Sequence, residues 1–373
     1  MRVALNMLHL VPAETGGSEL YARRLVPALL EAGGGVELVV LASNEAAESL
    51  RAEPWAGKVD VVGLRFDARS RARRVLVEQT LLPRELRRRG IDLLHNLFTT
   101  APAAPGAPQV TTILDVIYKR FPETHGGLLS KGLAALTWTA ARRSRRVIAI
   151  SEAAKGDIVR FLGVPQNRVD VTHLGPALPD DASVGEAELR RDLDLGDAPI
   201  VLTVSAKRPH KNLDRLFDAF EGVGGAAILV VPGYETFYEE VLRKKAGGRI
   251  RITGWLPDDV LDGLYRAATC FVFPSLAEGF GLPVLDALVR GTPVATSNAT
   301  SLPEVAGDAA LYFDPEDTGA ITMAVERLLS DEALRDRLRT AGPRQAAKFS
   351  WAHTAEATLG SYERALEAGP AAT

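Results

Sequence analysis

A single cysteine, Cys270, stands among 373 residues, so no intrachain disulfide can form and a reducing cytoplasm is the expected setting. Six histidines are scattered without a thiol cluster, so nothing has the spacing of zinc ligands and no metal is expected. No apolar run reaches the ~18 residues of a membrane span. The longest runs, such as 36–41 around Glu37, have the length of strands. The N-terminus, Met1-Arg2-Val3-Ala4-Leu5, enters a strand directly, and a signal peptide is not expected there. The three glycines of G-x-G-x-x-G are missing too, which argues against a nicotinamide enzyme.

What is present is a globular chain, 46% hydrophobic, long enough for two α/β lobes. The net charge of −3 conceals an asymmetry: the chain is basic up to residue 180 and acidic beyond it. Arginines gather at Arg69, Arg71, Arg73 and Arg74, at Arg84 and Arg87 to Arg89, and at Arg142, Arg143, Arg145 and Arg146. Such clusters suit solvated helix faces, or anionic lipid head groups and acceptors. No nucleic-acid partner is indicated.

Strand-like and helix-like runs alternate throughout, which points to parallel sheets flanked by helices. The first half predicts strands at 3–6, 36–42, 59–64, 93–96, 110–114, 147–150 and 169–173, with helices over 17–31 and from Ser151. Between 174 and 199 the texture turns to Pro, Asp, Gly and Ala, with a helical patch at 186–192, which reads as a linker. A second alternation comes next, with strands at 200–205, 227–231, 249–253, 270–273, 293–296 and 310–313. The expected domains are 1–178, 179–354 and a C-terminal helix, 355–373, that packs back on the first lobe. Ligands of open parallel sheets bind at the carboxyl ends of strands, so two facing lobes imply an interdomain cleft.

The segment FPSLAEGFGLPVLDALVRGTPV, from Phe273 to Val294, carries the most chemistry. A strand ends at Phe273, a loop carries Glu278, Gly279, Phe280 and Gly281, and Pro283 opens a helix that Gly291 terminates. Proline suits a helix's first turn, whose N–H groups lack intrahelical acceptors. The amides near Gly281 and Leu282 therefore suit a phosphate. Glu278 lies just before that end and Asp286 about one turn inside, so either acid could meet sugar hydroxyls; a capping Glu278 and a surface Asp286 are the plain alternative. After the strand ending at Ser205 comes KRPHKNLDRL, with Lys207, Arg208, His210 and Lys211. Cations there would meet the charge developing on a departing diphosphate, unless the loop is merely solvated. The loop PAETGGS contributes Gly16 and Gly17, which permit close backbone approach to a ligand.

Together these segments resemble the retaining nucleotide-sugar glycosyltransferases of family 4, whose fold, GT-B, has two Rossmann-like lobes. EGFGLPVLDALVRGTPVATSNATSLPEVAGDAALYFDPED is similar to the family's acid–seven residues–acid motif and the segment C-terminal to it. VSAKRPHKNLDRL resembles its basic loop, PAETGGSELYARRL its glycine loop, VIAISEAAKGDI the end of its first lobe, and TGWLPDDVLDGLYRAATCFVFPS its nucleotide-side run. The resemblance implies that Glu278 binds the transferred sugar and Asp286 the ribose. Lys211, helped by Arg208 or Lys207, would neutralise the diphosphate. Gly16 and Gly17 would approach the diphosphate and acceptor, and Gly254 to Leu256 would hold the base. Ser205, His210, Gly279, Phe280, Gly281 and Leu282 complete the donor side, with no metal or other cofactor.

Three positions depart from the family pattern. Asp286 stands where glutamate is usual, and His210 where arginine is. In TTILDVIYKRFPE, Leu114-Asp115 replaces His-Asp, so Asp115 keeps only a weak acceptor-side role. The acidic run Asp192-Leu193-Asp194 reads as solvated. The expected activity is transfer from a GDP-, UDP- or dTDP-linked sugar, GDP-mannose slightly favoured, to a glycan, lipid-linked or small-molecule hydroxyl. No carboxylate pair is spaced as in a glycosidase, so front-face attack with retention is expected. A cytoplasmic protein with peripheral membrane contact fits the charge pattern. A hydrolase, epimerase or phosphorylase on the same scaffold, or a non-catalytic nucleotide-sugar-binding protein, is the alternative.

Overall fold

The computed structural model describes residues 1–14, 16–121, 128–179, 183–234 and 236–368, with backbone alone at 128–131 and 133. Outside the described residues lie Thr15 of the glycine loop, Pro122 and Glu123 of the stretch after Leu114-Asp115, Asp180 to Ala182 of the linker, and the alanine-rich last residues. The chain divides into two compact units. Unit 1 comprises Met1–Gly175 and Ser350–Thr373, and unit 2 is Pro176–Phe349.

Unit 1 contains β1 (Arg2–Met7), α1 (Gly17–Ala32), β2 (Glu37–Ser43), α2 (Asn44–Arg51), β3 (Asp60–Leu64), α3 (Arg71–Arg88), β4 (Leu93–Asn96), β5 (Gln109–Ile113), α4 (Ile117–Arg120), α5 (Leu128–Arg143), β6 (Arg146–Ala149), α6 (Glu152–Leu162) and β7 (Val169–Val171). Unit 2 continues with α7 (Glu186–Asp192), β8 (Ile200–Leu202), α8 (Leu213–Glu221), β9 (Ile228–Val231), α9 (Glu239–Lys245), β10 (Ile250–Ile252), α10 (Asp258–Ala267), β11 (Cys270–Phe273), α11 (Leu282–Val289), β12 (Val294–Ser297), α12 (Leu302–Ala306), β13 (Ala310–Phe313), α13 (Thr318–Ser330) and α14 (Glu332–Ala346). Helix α15 (Trp351–Glu367) belongs to unit 1.

Both sheets are parallel, in the orders β3-β2-β1-β4-β5-β6-β7 and β10-β9-β8-β11-β12-β13. Strands covered on both faces need no polar alternation, which explains runs such as Val3-Ala4-Leu5 and Phe271-Val272-Phe273, all buried. In each sheet the strand order reverses at one point, between β1 and β4 in unit 1 and between β8 and β11 in unit 2. Chains leaving the carboxyl ends of two such strands diverge to opposite faces and open a crevice there.

Helix ends follow local chemistry. The side chains of Ser151, Asp317, Asp331 and Ser350 accept the N–H of Ala154, Ala320, Leu334 and His353, capping α6, α13, α14 and α15. Helix α7, expected as a patch within a linker, is part of unit 2: its Leu189 is buried and it packs on α10. The Val184 amide just before it donates to the Asp259 carbonyl at 3.0 Å.

Helix α15 packs along α1, and its small residues Thr354, Ala355, Thr358, Ser361 and Ala365 are buried. A buried polar chain fixes its register. Nδ1 of His95 lies 2.7 Å from the Tyr362 hydroxyl and Nε2 lies 2.8 Å from Thr112 Oγ1. Thr112 in turn meets the Tyr21 hydroxyl at 3.0 Å. Burial lowers the His95 pKa to about 3 and raises those of Tyr21 and Tyr362.

Candidate active site

In unit 2 the reversal point is occupied by two loops. After β8 the chain turns through a short 3₁₀ segment, Pro209–Lys211, whose end carries Lys211 and Asn212. After β11 it runs through Ser275 to Gly281 and into α11. The amide of Leu276 donates to the His210 carbonyl at 2.9 Å, tying the loops together. Asn212 holds a left-handed backbone (φ 58°) that asparagine tolerates, and its Nδ2 donates to the carbonyls of Pro274 at 3.0 Å and Pro315 at 2.7 Å. Arg215 braces it, donating to Asn212 Oδ1 at 2.7 Å and to Pro315 O at 3.1 Å.

This frame brings Lys211 and Glu278 together: Nζ donates to Oε1 at 2.6 Å, with side chains 16% and 10% exposed. The Lys211 ammonium also lies 5.5 Å from the centre of the Phe273 ring. Glu278 Oε2 makes no hydrogen bond among the described residues. The backbone of Glu278 is held by a second pair of residues. Its amide donates to Thr300 Oγ1 at 2.9 Å, and Ser301 Oγ donates to its carbonyl at 3.1 Å and to that of Phe280 at 2.7 Å. Thr300 has φ 50°, uncommon for a β-branched residue, and such strain persists only where surroundings over-determine it.

Gly281 is required by geometry. Its φ is 116°, and a Cβ would come within 2.7 Å of Leu302 Cδ2. It starts α11, with Pro283 in the first turn, and its carbonyl accepts the amides of Val284 and Leu285. The N–H groups of Gly281 and Leu282 have no acceptor within the helix. Phe280 is buried edge-on against Phe349, with ring centres 5.7 Å apart. The hydroxyls of Ser205 and Ser275, both buried at this same edge, have no hydrogen-bond partner among the described residues. The site therefore offers one carboxylate oxygen, an ammonium and helix-end amides to a ligand with an anionic and a polyhydroxyl part.

The family description "Glycosyl transferases group 1" fits residues 186–345, and "Glycosyltransferase Family 4" fits residues 15–176. An O-antigen chain mannosyltransferase B of Escherichia coli is 32% identical over 68% of this chain and 70% of its own length. The chain belongs to the family 4 glycosyltransferases. A serotype-specific mannosyltransferase WbdA of Escherichia coli is also 32% identical over 60% of this chain, but there the match spans only 29% of the relative. Among solved structures, Anabaena Alr3699/HepE with UDP and glucose aligns with a TM-score of 0.76 at 17% identity, covering 97% of this chain and 99% of that one. Sucrose-phosphate synthase (tll1590) of Thermosynechococcus elongatus also gives 0.76, at 19% identity over 99% and 100% of the two chains. These two likenesses establish the GT-B fold.

Within this glycosyltransferase, other expected site residues take different places. Lys207 is fully buried. Its ammonium donates to the carbonyls of Thr253, at 2.8 Å, and Gly233, and lies 3.7 Å from Glu239 Oε2. A buried charge must be paired, and here it pins together the chain segments that follow β9 and β10. Gly233 is needed at that crossing, since a Cβ would come 2.0 Å from the Ser205 carbonyl. The Gly233 amide donates to the Gly254 carbonyl at 3.2 Å, so Gly254 joins the same crossing, with Trp255 exposed and Leu256 half-buried beside it. His210 is buried and Arg208 exposed.

Asp286 is engaged from behind. Its Oδ1 accepts the amides of Ala177 at 2.9 Å and Leu178 at 3.2 Å, so the carboxylate anchors the incoming chain of unit 2. Arg290, also fully buried by side chain, donates to the Pro179 carbonyl at 3.0 Å and to Asp262, and lies 3.8 Å from Asp286. The rest of the expected residues, Gly16, Gly17 and Asp115, belong to unit 1. Gly16 (φ 59°) precedes α1, and a Cβ on Gly16 or Gly17 would meet nothing within 4 Å. Asp115 Oδ1 accepts the Ile117 amide at 3.0 Å, turning the chain after β5. Asp192 and Asp194 are exposed, and no group of three or more His, Cys, Asp or Glu residues among the described ones could hold a metal. No helix among them is long and apolar enough to cross a membrane.

Asn212, Arg215, Thr300, Ser301 and Arg290 were missed as site-building residues. Asn212 alone had a readable signal, since asparagine directly before a helix favours left-handed or capping backbone.

Proposed function

We propose that unit 2 binds a nucleotide-sugar donor at the carboxyl ends of β8 and β11, and that the enzyme moves its hexose to an acceptor hydroxyl with retention of configuration. The observation that carries this reading is the Lys211–Glu278 pair at the strand-order reversal, beside the free amides that open α11. Glu278 Oε2 accepts hydroxyls of the hexose in charge-assisted bonds. Lys211, with the exposed Arg208 and the amides of Gly281 and Leu282, balances the diphosphate as it departs. These fixed charges do the work a divalent ion does elsewhere, so turnover does not depend on metal. With no second carboxylate paired to Glu278, the leaving phosphate oxygen takes the acceptor's proton in a front-face attack. The base lies against the Gly233–Gly254 crossing, and Asp286 serves the donor by anchoring the chain at Ala177 and Leu178.

A mannosyl donor is favoured by the names of the relatives, which makes GDP-mannose the first compound to screen. A glycan acceptor is the matching partner. Contact with an anionic membrane surface is supported by α3, where Leu76 and Leu81 stand exposed among Arg71, Arg73, Arg84 and Arg87. A thermal-shift screen of GDP-, UDP- and dTDP-sugars identifies the donor, because a ligand of the native state raises the melting temperature. Product analysis by NMR, with and without EDTA, then tests transfer, the anomer formed and the metal dependence. An inverted product or a rate abolished by EDTA contradicts the mechanism.

A further inference from the structure

Unit 1 has its own strand-order reversal, between β1 and β4. The loop after β1 carries His9 and the loop after β4 carries Phe98 to Thr100. Behind them, on α3, is Glu78, fully buried. Thr100 Oγ1 donates to Glu78 Oε1 at 3.0 Å, and the Asn6 side-chain amide donates to the same oxygen at 3.1 Å. The other oxygen, Oε2, is buried with no hydrogen-bond partner among the described residues.

His9 completes the cluster. Its Nε2 is 2.8 Å from Thr100 Oγ1 and 3.7 Å from Glu78 Oε1. Its ring stacks on Phe98, with centres 6.0 Å apart at 15°, and 17% of its side chain is exposed. The tautomer follows from donor counting. Thr100 directs its one hydroxyl proton to Glu78 Oε1, which leaves its lone pairs to accept Nε2–H of a neutral His9. Nδ1 is then an unprotonated lone pair, and it meets no donor among the described residues. Thr99, next in the chain, has φ 43°, a second strained β-branched residue at a carboxyl edge.

A carboxylate buried whole is costly, and a purely structural core would satisfy both its oxygens. Here one carboxylate and one hydroxyl set the proton of a single imidazole at the accessible edge of the crevice.

We propose that His9, held in one tautomer through Thr100 by Glu78, is a hydroxyl-recognising residue of unit 1 that accepts a hydrogen bond from a sugar acceptor at Nδ1. Thr100 and Glu78 are positioning residues. The ligand class rests on the transferase reading, whereas the tautomer and the binding of a sugar at His9 are open to direct measurement.

Imidazole ¹⁵N spectra of the protein, with His9 assigned through His9→Gln, test it. The expected state is neutral with the proton on Nε2. Titration with methyl α-D-mannopyranoside and with mannobioses moves the His9 Nδ1 resonance saturably, while GDP alone does not. Glu78→Gln loosens the tautomer and weakens sugar binding about tenfold, the scale of one hydrogen bond. His9→Gln, near the surface and tolerant of the change, raises acceptor KM about tenfold and leaves the nucleotide-induced melting shift as in wild type. An Nδ1-protonated ring, a His9 resonance that answers to GDP and not to sugars, or an unchanged acceptor KM overturns the proposal. Should the wild type transfer to no acceptor, the transferase reading fails by itself, and the sugar titration alone decides for or against His9.

Discussion

Lys211 and Glu278, 67 positions apart in the chain, meet with Nζ 2.6 Å from Oε1 where the strand order of unit 2 reverses. Each neutralises the other in the absence of substrate. A nucleotide sugar entering there offers hydroxyls to the carboxylate and a diphosphate to the ammonium, so both charges keep partners throughout. Lys211→Ala removes the ammonium that meets the departing charge, and turnover is expected to fall roughly 10²–10³-fold, the scale for one electrostatic stabiliser. Steady-state kinetics measure it, and an unchanged rate would remove Lys211 from the mechanism.

Lys207→Met tests the buried pin. The substitution leaves Glu239 without its neighbour and takes a donor from the Gly233 and Thr253 carbonyls. Breaking a buried pair by deleting one partner costs about 3–5 kcal/mol. Urea unfolding should show a loss of that order; stability within about 0.5 kcal/mol of wild type, the range of ordinary surface changes, contradicts the burial of Lys207.

Asp286→Ala distinguishes an anchor from a ribose ligand. Loss of the acceptor for the Ala177 and Leu178 amides should speed their hydrogen exchange. Nucleotide binding, read by melting shift, should weaken far less. Unchanged exchange with abolished nucleotide binding would restore the direct ribose contact.

The His95 network makes unit 1 sensitive to acid. His95 has a folded-state pKa near 3, below the ordinary 6.5, so the unfolded chain binds the proton first. Its stabilising effect is complete above about pH 6.5 and is withdrawn as pH falls toward 3, at about 1.4 kcal/mol per unit. Denaturation from pH 7 to 4 should show that slope, and His95→Gln should flatten it. A slope identical in the variant assigns the acid sensitivity elsewhere.

The two sheets were legible because strands covered on both faces read as unbroken apolar runs, and the Gly281–Pro283 helix start because few residue types fit there. The ion pair of Lys211 with Glu278 was not foreseen; only the placing of both loops at strand ends was legible. The burial of Lys207 was not legible, because a lysine in a basic loop looks the same whether it faces solvent or crosses beneath its neighbours. The bonds to Asp286 were not legible for a related reason: spacing along a helix gives the face of a side chain, not the backbone amides that arrive from Ala177 and Leu178. Glu78 gave no local signal, since its partners come from β1 and from the loop after β4.

A crystal structure of the protein soaked with GDP, UDP or dTDP most directly tests whether Lys211 and the α11 amides receive a diphosphate. The β-phosphate is predicted to lie within hydrogen-bond reach of Lys211 Nζ and the amides of Gly281 and Leu282, with Glu278 Oε2 open toward the position of the hexose. A nucleotide seated away from those atoms, with the Lys211–Glu278 pair undisturbed, contradicts it.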